Sequence, residues 1–401
     1  PKGVLVKHEN VTRLFDAVES WFNFNQQDVW TLFHSIAFDF SVWEIWGALL
    51  YGGQLVIVPY WVTRTPETFY DLLCKYRVTV LNQTPSAFRQ LIRVEESLVT
   101  NKDLALRLVI FGGEALELQN LKPWFARHDY QAPQLVNMYG ITETTVHVTY
   151  RPLTLEDLHL GLGSVVGRPI PDLQVYLLDQ HLQPVPIGVL GEIYIGGAGL
   201  VRGYLNRPDL TTEKFIPNPF SNKPGARLYK SGDLARYLSN GDLEYLGRID
   251  HQVKIRGFRI ELKEIETLLV QHQAIREAVV LVKEAEGSEK QLVAYVVTRN
   301  KQIPTASELR RFLKQHLPDY MVPSVFVMLD FLPLTVNGKV NLQALPIPNQ
   351  NRPSLDEAFV APRTSEEKIL AEIWASVLGV EQVGIYDNFF TLGGDSIRSI
   401  Q

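Results

Sequence analysis

Gln134-Leu135-Val136-Asn137-Met138-Tyr139-Gly140-Ile141-Thr142-Glu143-Thr144 is the stretch on which the fold turns. A short apolar run, Gln134 to Met138, breaks into a loop holding an aromatic ring, a glycine, two hydroxyls and a carboxylate. A continuous apolar run of this length suits a strand buried on both faces. In open parallel sheets the loop at its C-terminal end is where ligand groups gather. Thr79 to Asn82 and Leu106 to Phe111 repeat the pattern, each ending in a polar or Gly-rich turn. Thr65-Pro66 and Thr84-Pro85 each pair an N-cap residue with proline at the first helical position. Residues 1 to about 150 therefore read as helices alternating with strands of a parallel sheet.

Further along, the texture changes. From about 160 to 249 short strands alternate with Gly and Pro turns, which predicts a barrel or sandwich-like layer. Residues 250–346 carry a basic hairpin (Val253 to Ile260), a helix (Lys263 to Gln273), two strands (Glu277 to Lys283, Gln291 to Val297) and a helix (Ser307 to His316), a small α+β unit. Residues 347–362, flanked by Pro346 and containing Pro348, Pro353 and Pro362, read as a linker. Residues 363–401 begin a separate helical domain. Thr364 and Glu367 form a capping box, Ile369, Leu370, Ile373, Trp374, Val377 and Leu378 make one apolar face, and Gly379 is the stop. The expected domains are 1–249, 250–346 and 363–401, joined by that linker.

Composition sets bounds. The 401 residues are 46% apolar and 21% charged, with a net charge of −5, as in an ordinary globular protein of two or three domains. That balance gives no general affinity for nucleic acid or an anionic membrane, and no 18-residue apolar run or signal peptide is visible. One cysteine, Cys74, excludes a disulfide framework or cysteine metal cluster and fits a reducing cytoplasm. It sits in an apolar helical run, Phe69 to Tyr76, where a buried structural thiol is the expectation.

Several runs bear chemistry. Asn137 to Thr144 offers an aromatic face for a base, a hydroxyl for phosphate and a carboxylate for a cation. Tyr229-Lys230-Ser231-Gly232-Asp233 puts on a turn an acid whose two oxygens suit a ribose diol. Gly247-Arg248-Ile249-Asp250 leads into Lys254-Ile255-Arg256-Gly257-Phe258-Arg259-Ile260-Glu261, and Asn337-Gly338-Lys339 sits in a turn. Alone, each has a plain alternative: a hairpin turn, a loop cap, a solvated basic strand face. Finally, Asp387-Asn388-Phe389-Phe390-Thr391-Leu392-Gly393-Gly394-Asp395-Ser396 anchors a tight loop with aromatics and starts a helix at Ser396. A hydroxyl there, beside free N–H groups at the positive end of a helix, is either an N-cap or a seat for a phosphodiester.

Taken in this order, the runs resemble the adenylation domains of nonribosomal peptide synthetases, within the superfamily of firefly luciferase and acyl-CoA synthetases. The resemblance covers residues 1 to about 346. It also rests on Phe38-Asp39-Phe40-Ser41-Val42-Trp43-Glu44, Gly191 to Gly197, Gly203-Tyr204 with Arg207-Pro208, and Leu317 to Pro323. The 387–396 run resembles the phosphopantetheine attachment loop of peptidyl carrier proteins. The implied fold is a large adenylate-forming domain with a parallel sheet and a β-barrel layer, a small α+β subdomain, and the start of an all-α carrier domain. Pro1-Lys2-Gly3 looks like the tail of the family's phosphate loop, so the resemblance implies a missing N-terminal part, and a carrier domain that needs further helices beyond Gln401.

The implied reaction has two steps: a carboxylate attacks the α-phosphorus of ATP, and a pantetheine thiol then displaces AMP. The resemblance makes Lys339, Glu143 and Thr142 catalytic, with Mg²⁺ at Glu143, Thr142 at the α-phosphate and Lys339 a mobile point charge. Gly113, Glu114, Asn137, Tyr139, Gly140, Asp233 and Arg248 would bind nucleotide, with Tyr139 stacked on adenine and Asp233 on the ribose. Asp250 falls at the hinge, and Ser396 would carry 4′-phosphopantetheine. Implied partners are ATP, an amino acid, neighbouring synthetase modules with a condensation domain, a phosphopantetheinyl transferase and a small activator protein.

Asp39 alone reads as a buried carboxylate in a core strand; in the family the matching acid pairs with the substrate's α-ammonium. With Phe40, Trp43, Asn82, Ile110, Gly112, Met138, Val146, His147 and Lys339 it spells DFWNIGMVHK, which looks like the family signature for threonine. The residues by themselves imply only a small, polar side chain: Phe40, Trp43 and Met138 fill volume, and Asn82 and His147 suit a hydroxyl while Ile110 and Val146 suit a methyl. Ile141 stands where proline is common and Lys263 where glycine is common; the second bears on the thiol half-reaction. Two rivals remain: an acyl-CoA synthetase using free coenzyme A, and a catalytically silent fragment that binds nucleotide or a partner.

Overall fold

The computed structural model of the chain describes residues 2–98, 103–128, 132–159, 163–249, 252–255, 257–283, 291–299, 304–333, 340–346, 359–378, 380–389 and 392. It divides into two compact units, Pro1–Asp250 with Arg256–Phe258, and His251–Ile255 with Arg259–Gln401. Among the described residues no helix is long and apolar enough to cross a membrane.

The first unit opens with α1 (His8–Phe22), β1 (Val29–Leu32), α2 (Phe40–Leu50), β2 (Gln54–Ile57), α3 (Pro66–Lys75), β3 (Val80–Gln83), α4 (Pro85–Ser97), β4 (Leu108–Phe111), the short α5 (Lys122–Phe125) and β5 (Gln134–Asn137). β1 to β5 pair in parallel in the order β2-β1-β3-β4-β5. Side chains on a strand alternate between faces. Val80, Leu108, Ile110 and Val136 therefore join α1 and α2 in one core, with Leu14, Phe15, Phe22, Phe40 and Trp43. Leu81, Val109, Phe111 and Leu135 meet α3 and α4 on the other, through Phe69, Tyr70, Phe88 and Leu91. Each fully buried aromatic or aliphatic side chain contributes about 1.5–3 kcal/mol, so both faces need this cover. Thr84 caps α4, its Oγ1 accepting from Ala87 N at 3.4 Å. Thr65 holds the N-cap position of α3, but its hydroxyl donates back to Trp61 O at 3.1 Å. Cys74 is half-buried against the second core rather than fully enclosed.

The remainder of this unit is the expected β-rich layer: β6 (Thr149–Pro152), β7 (Ser164–Pro169), β8 (Leu173–Leu178), β9 (Gly191–Gly197), α6 (Pro208–Lys214), β10 (Phe215–Pro217), β11 (Arg227–Tyr237) and β12 (Leu243–Arg248). These strands pair antiparallel and continue the same sheet as β5-β6-β7-β12-β11-β9-β8. β6 is the link, bonded antiparallel to β5 on one side and β7 on the other.

The second unit holds β13 (Gln252–Ile255), all of its hairpin partner β14 (Phe258–Glu261) except Phe258, then α7 (Leu262–Gln271), β15 (Ile275–Lys283), β16 (Gln291–Thr298), α8 (Ala306–Lys314) and β17 (Val325–Leu329). β17, which the sequence pattern leaves out, pairs in parallel with β16 and makes a three-stranded sheet. α8 starts at a capping box between Thr305 and Glu308. α9 (Ser365–Leu378) starts at the predicted one: Glu367 N donates to Thr364 Oγ1 at 3.2 Å, and Thr364 N to Glu367 Oε2 at 3.1 Å. Only part of its apolar face is covered. Leu378 packs with Val383, Phe389 and Leu392, and Trp374 meets Phe389 edge-on, whereas Ile369, Leu370 and Ile373 are exposed.

Candidate active site

Asn82 shares its strand face with Val80, and Ile110 with Leu108, so both point to the α2 side; Met138, just after β5, lies in the same core. α2 lies over them and presents Phe40 and Trp43, both buried. Asp39 is not in a strand but at the N-terminus of α2, half-buried, where its Oδ2 accepts from Thr142 Oγ1 at 2.8 Å. A carboxylate there is favoured by the helix dipole.

Trp43 Nε1 donates to Asn82 Oδ1 at 3.0 Å, fixing the amide so that Nδ2 is the remaining donor. His147 meets Trp43 at 4.8 Å and 90° and Phe40 at 5.4 Å and 84°. Asn82 Nδ2 and both ring nitrogens of His147 have no hydrogen-bond partner among the described residues. Burial pushes the His147 imidazolium down to about 3, so the ring is neutral near pH 7, one nitrogen a donor and the other an acceptor. A Cβ on Gly112 would lie 3.3 Å from Phe40 and 3.6 Å from His147, so that backbone borders the same space. Phe40, Trp43, Asn82, Gly112 and His147 thus converge, and Ile110, Met138 and Val146 are buried in the same core as Phe40 and Trp43.

The loop that delivers His147 is folded tightly. Tyr139 O accepts from Val148 N at 2.7 Å and Thr149 N at 3.1 Å, which closes its ends. Inside it Thr145 and Val146 both take left-handed backbone, φ 66° and 63°. A β-branched residue is rare there. Gly140 is the seat: a Cβ would sit 1.8 Å from Val146 O.

A second group lies toward the antiparallel layer. Asp233 on β11 and Arg248 on β12 are in register; Arg248 Nη1 donates to Asp233 Oδ1 at 2.5 Å and Tyr139 Oη to Asp233 Oδ2 at 2.6 Å. Burial, then the Asp233 charge, raises the Tyr139 phenol well above its ordinary value, so it stays a donor. Tyr204 Oη donates to buried Glu143 Oε1 at 2.5 Å and meets Tyr229 Oη at 3.2 Å. Burial first, then Glu143, likewise raises the Tyr204 phenol. Two other predicted nucleotide residues make structural bonds: Asn137 Nδ2 donates to Val165 O at 2.7 Å, and Glu114 Oε2 accepts from Ser86 N at 3.1 Å in the first turn of α4. Gly113 has φ +84° and leaves only 3.2 Å between an added Cβ and Phe38. Among the described residues no three His, Cys, Asp or Glu side chains gather as a ligand set. Lys339, Asp250 and Ser396 lie outside the described residues.

Tyr204 and Thr145 have no assigned role in the sequence reading. Tyr204 sits 61 positions from Glu143, and no local pattern signals that pairing.

Residues 1–205 match the AMP-binding enzyme family, 264–339 the AMP-binding enzyme C-terminal domain, and 368–401 the phosphopantetheine attachment site. A dimodular nonribosomal peptide synthase of Bacillus subtilis (strain 168) is 56% identical over the whole chain, which spans 17% of that protein. Syringomycin synthase SyrB1 of Pseudomonas syringae pv. syringae is 44% identical, again over the whole chain, which covers 65% of it. Among solved structures, holo-PA1221, a nonribosomal peptide synthetase protein with adenylation and carrier domains, aligns over 100% of this chain and 64% of its own (TM-score 0.81, 30% identity). The Vibrio cholerae adenylation domain AlmE, in complex with glycyl-adenosine-5′-phosphate, aligns over 85% of this chain and 62% of its own (TM-score 0.72, 28% identity). The chain belongs to the AMP-binding enzymes, with the adenylation-plus-carrier layout of nonribosomal peptide synthetases.

Proposed function

We propose that this chain activates L-threonine with ATP as threonyl-AMP and hands it to a phosphopantetheine thiol on Ser396 for nonribosomal peptide synthesis. One observation carries the choice of side chain: the buried Asn82 Nδ2 and the two His147 nitrogens are without hydrogen-bond partners among the described residues, and both side chains lie against Trp43. A hydroxyl bonds a donor and an acceptor together, and the methyl of a small branched side chain would meet the apolar Ile110. Asp39 takes the α-ammonium, because a desolvated cation needs a counter-charge.

In the first step a carboxylate oxygen of the amino acid bonds to the α-phosphorus of ATP, and the bond to pyrophosphate breaks. In the second the thiol sulfur, having lost its proton, bonds to the acyl carbon, and AMP leaves. Asp233 holds the ribose hydroxyls, oriented by Arg248 and Tyr139, while Thr142 reaches the α-phosphate. Glu143, whose Oε1 accepts from Tyr204 Oη, is a hard oxygen donor of the kind that would hold Mg²⁺. The ion supplies charge neutralisation at the phosphates. Lys339 adds a positive charge to the same oxygens, and Asp250 is the hinge at which the small subdomain turns between steps. A condensation domain, a phosphopantetheinyl transferase and a small activator protein are the proposed partners.

Amino-acid-dependent pyrophosphate exchange on the intact protein, across twenty amino acids and a fatty-acid panel, tests the reading. Threonine should lead. Exchange led by serine or valine refutes the pocket assignment, led by fatty acids it favours an acyl-CoA synthetase, and none at all favours a silent fragment. Lys339→Ala should cripple exchange without lowering the melting temperature.

A further inference from the structure

We propose that Thr145, outside the set of pocket residues, positions His147 and thereby sets side-chain selectivity; this rests on the amino-acid pocket proposed above. Thr145 is buried, and its Oγ1 donates to Gly199 O at 2.8 Å, across 54 positions of sequence. The bond holds a conformation the chain does not favour by itself. Thr145 has φ 66° and ψ 76°, followed by Val146 at φ 63°, where branched side chains crowd their own backbone. His147 N donates to Thr145 O at 2.8 Å, so a rotation at Thr145 carries the imidazole with it. Both loop ends are tied at Tyr139 O, which leaves the 145–146 pair as the place where the loop can relax.

The anchor is itself anchored. Asn10 of α1, buried, donates through Nδ2 to Ala198 O at 2.9 Å and Leu200 O at 3.3 Å, the carbonyls flanking Gly199. The segment is pressed against the loop: a Cβ on Gly199 would lie 2.8 Å from Thr144 O. A chain of three contacts therefore runs from α1 through 198–200 to the left-handed pair and ends at His147, and Asn10 and Thr145 act on selectivity through it.

Thr145→Val keeps the shape and branching and removes the donor; Thr145→Ser keeps the donor; Asn10→Leu frees the 198–200 segment from a distance. Pyrophosphate exchange with threonine and valine, with ATP KM and melting temperature measured alongside, reads the outcome. A displacement of about 1 Å at a recognition group costs roughly 10²-fold. Thr145→Val should therefore lower the threonine-to-valine ratio of kcat/KM at least about tenfold, through threonine KM, with ATP KM unchanged. Thr145→Ser should restore the ratio, and Asn10→Leu should move it the same way as Thr145→Val. A folded Thr145→Val with the wild-type ratio overturns the proposal. If that variant does not fold, an unchanged ratio in Asn10→Leu overturns it equally. A wild type without preference for threonine refutes the pocket reading instead, and the positioning role is then read on whichever amino acid the wild type prefers.

Discussion

Replacing Gly140 by alanine is the sharpest test of how the loop is built. The added Cβ would lie 1.8 Å from Val146 O, 2.6 Å from Val146 C and 2.8 Å from His147 Cα, all backbone atoms with no rotamer to turn away. An ordinary non-bonded contact is roughly 3.5 Å, so the Val146 carbonyl must retreat by about 1.7 Å. His147 is the next residue, and its Cα cannot stay. Overpacking of this kind costs about 1–3 kcal/mol or more. A misplacement above 1 Å at a recognition group lowers kcat/KM by roughly 10²-fold. Gly140→Ala should therefore show both a lower melting temperature and a loss of threonine-dependent pyrophosphate exchange of about two orders of magnitude. Gly225→Ala separates clash from backbone strain. Gly225 has φ +75° with nothing within 4 Å of the added Cβ, so it should lose only about 1–2 kcal/mol of stability and no activity. Wild-type exchange and melting in Gly140→Ala, or an equal activity loss in Gly225→Ala, would show that this close approach does not set the position of His147.

His147 binds its proton only near pH 3 when folded but near the ordinary 6.5 when unfolded, so the unfolded chain takes up more protons between those values. Stability should fall as pH drops below about 6.5, by up to about 1.4 kcal/mol per unit from this residue, and urea melts of His147→Gln at pH 5 and pH 7 should lack that part of the slope. Asp233→Asn removes the carboxylate that Arg248, whose side chain is only 7% exposed, pairs with at 2.5 Å. It should raise ATP KM and cost about 3–5 kcal/mol in a denaturant melt, with threonine KM the less affected constant. Ser396→Ala should abolish the mass increase given by a phosphopantetheinyl transferase while leaving pyrophosphate exchange at the wild-type rate.

The parallel half of the sheet is legible because its cue is local. Short runs such as Thr79 to Asn82 and Leu106 to Phe111, each ending in a polar or Gly-rich turn, read as buried strands when Thr84-Pro85 starts a helix between them. The carrier helix start is legible for the same reason, since Thr364 and Glu367 bond within one turn. What the pattern does not reveal is long-range. β17 resembles any apolar run until β16 offers it a parallel edge, and β6 unites the two layers through partners on both sides. The left-handed Thr145–Val146 pair contradicts the intrinsic preference of both residues, so no propensity could signal it. Asn137 and Glu114 carry motif positions yet spend their side chains on Val165 and on α4, which a motif alone does not disclose.

Burial without a partner is not by itself the mark of the pocket. Trp30 Nε1, Thr31 Oγ1, Trp124 Nε1 and both Gln83 amide atoms share it with Asn82 Nδ2 and the His147 ring. Each such group costs about 1–3 kcal/mol, so the fold tolerates several of them. Asn82 and His147 differ in being brought to the same place from different elements, β3 and the 139–149 loop, with Trp43 contacting both. Asp39, next in sequence to Phe40, is tied to Thr142 of the same loop. A side chain with a hydroxyl removes the cost of several unpaired groups at once, and one without it leaves them all in place. On the proposed reading that difference carries into the adenylation transition state, and selectivity for threonine would follow from groups the folded protein leaves unsatisfied.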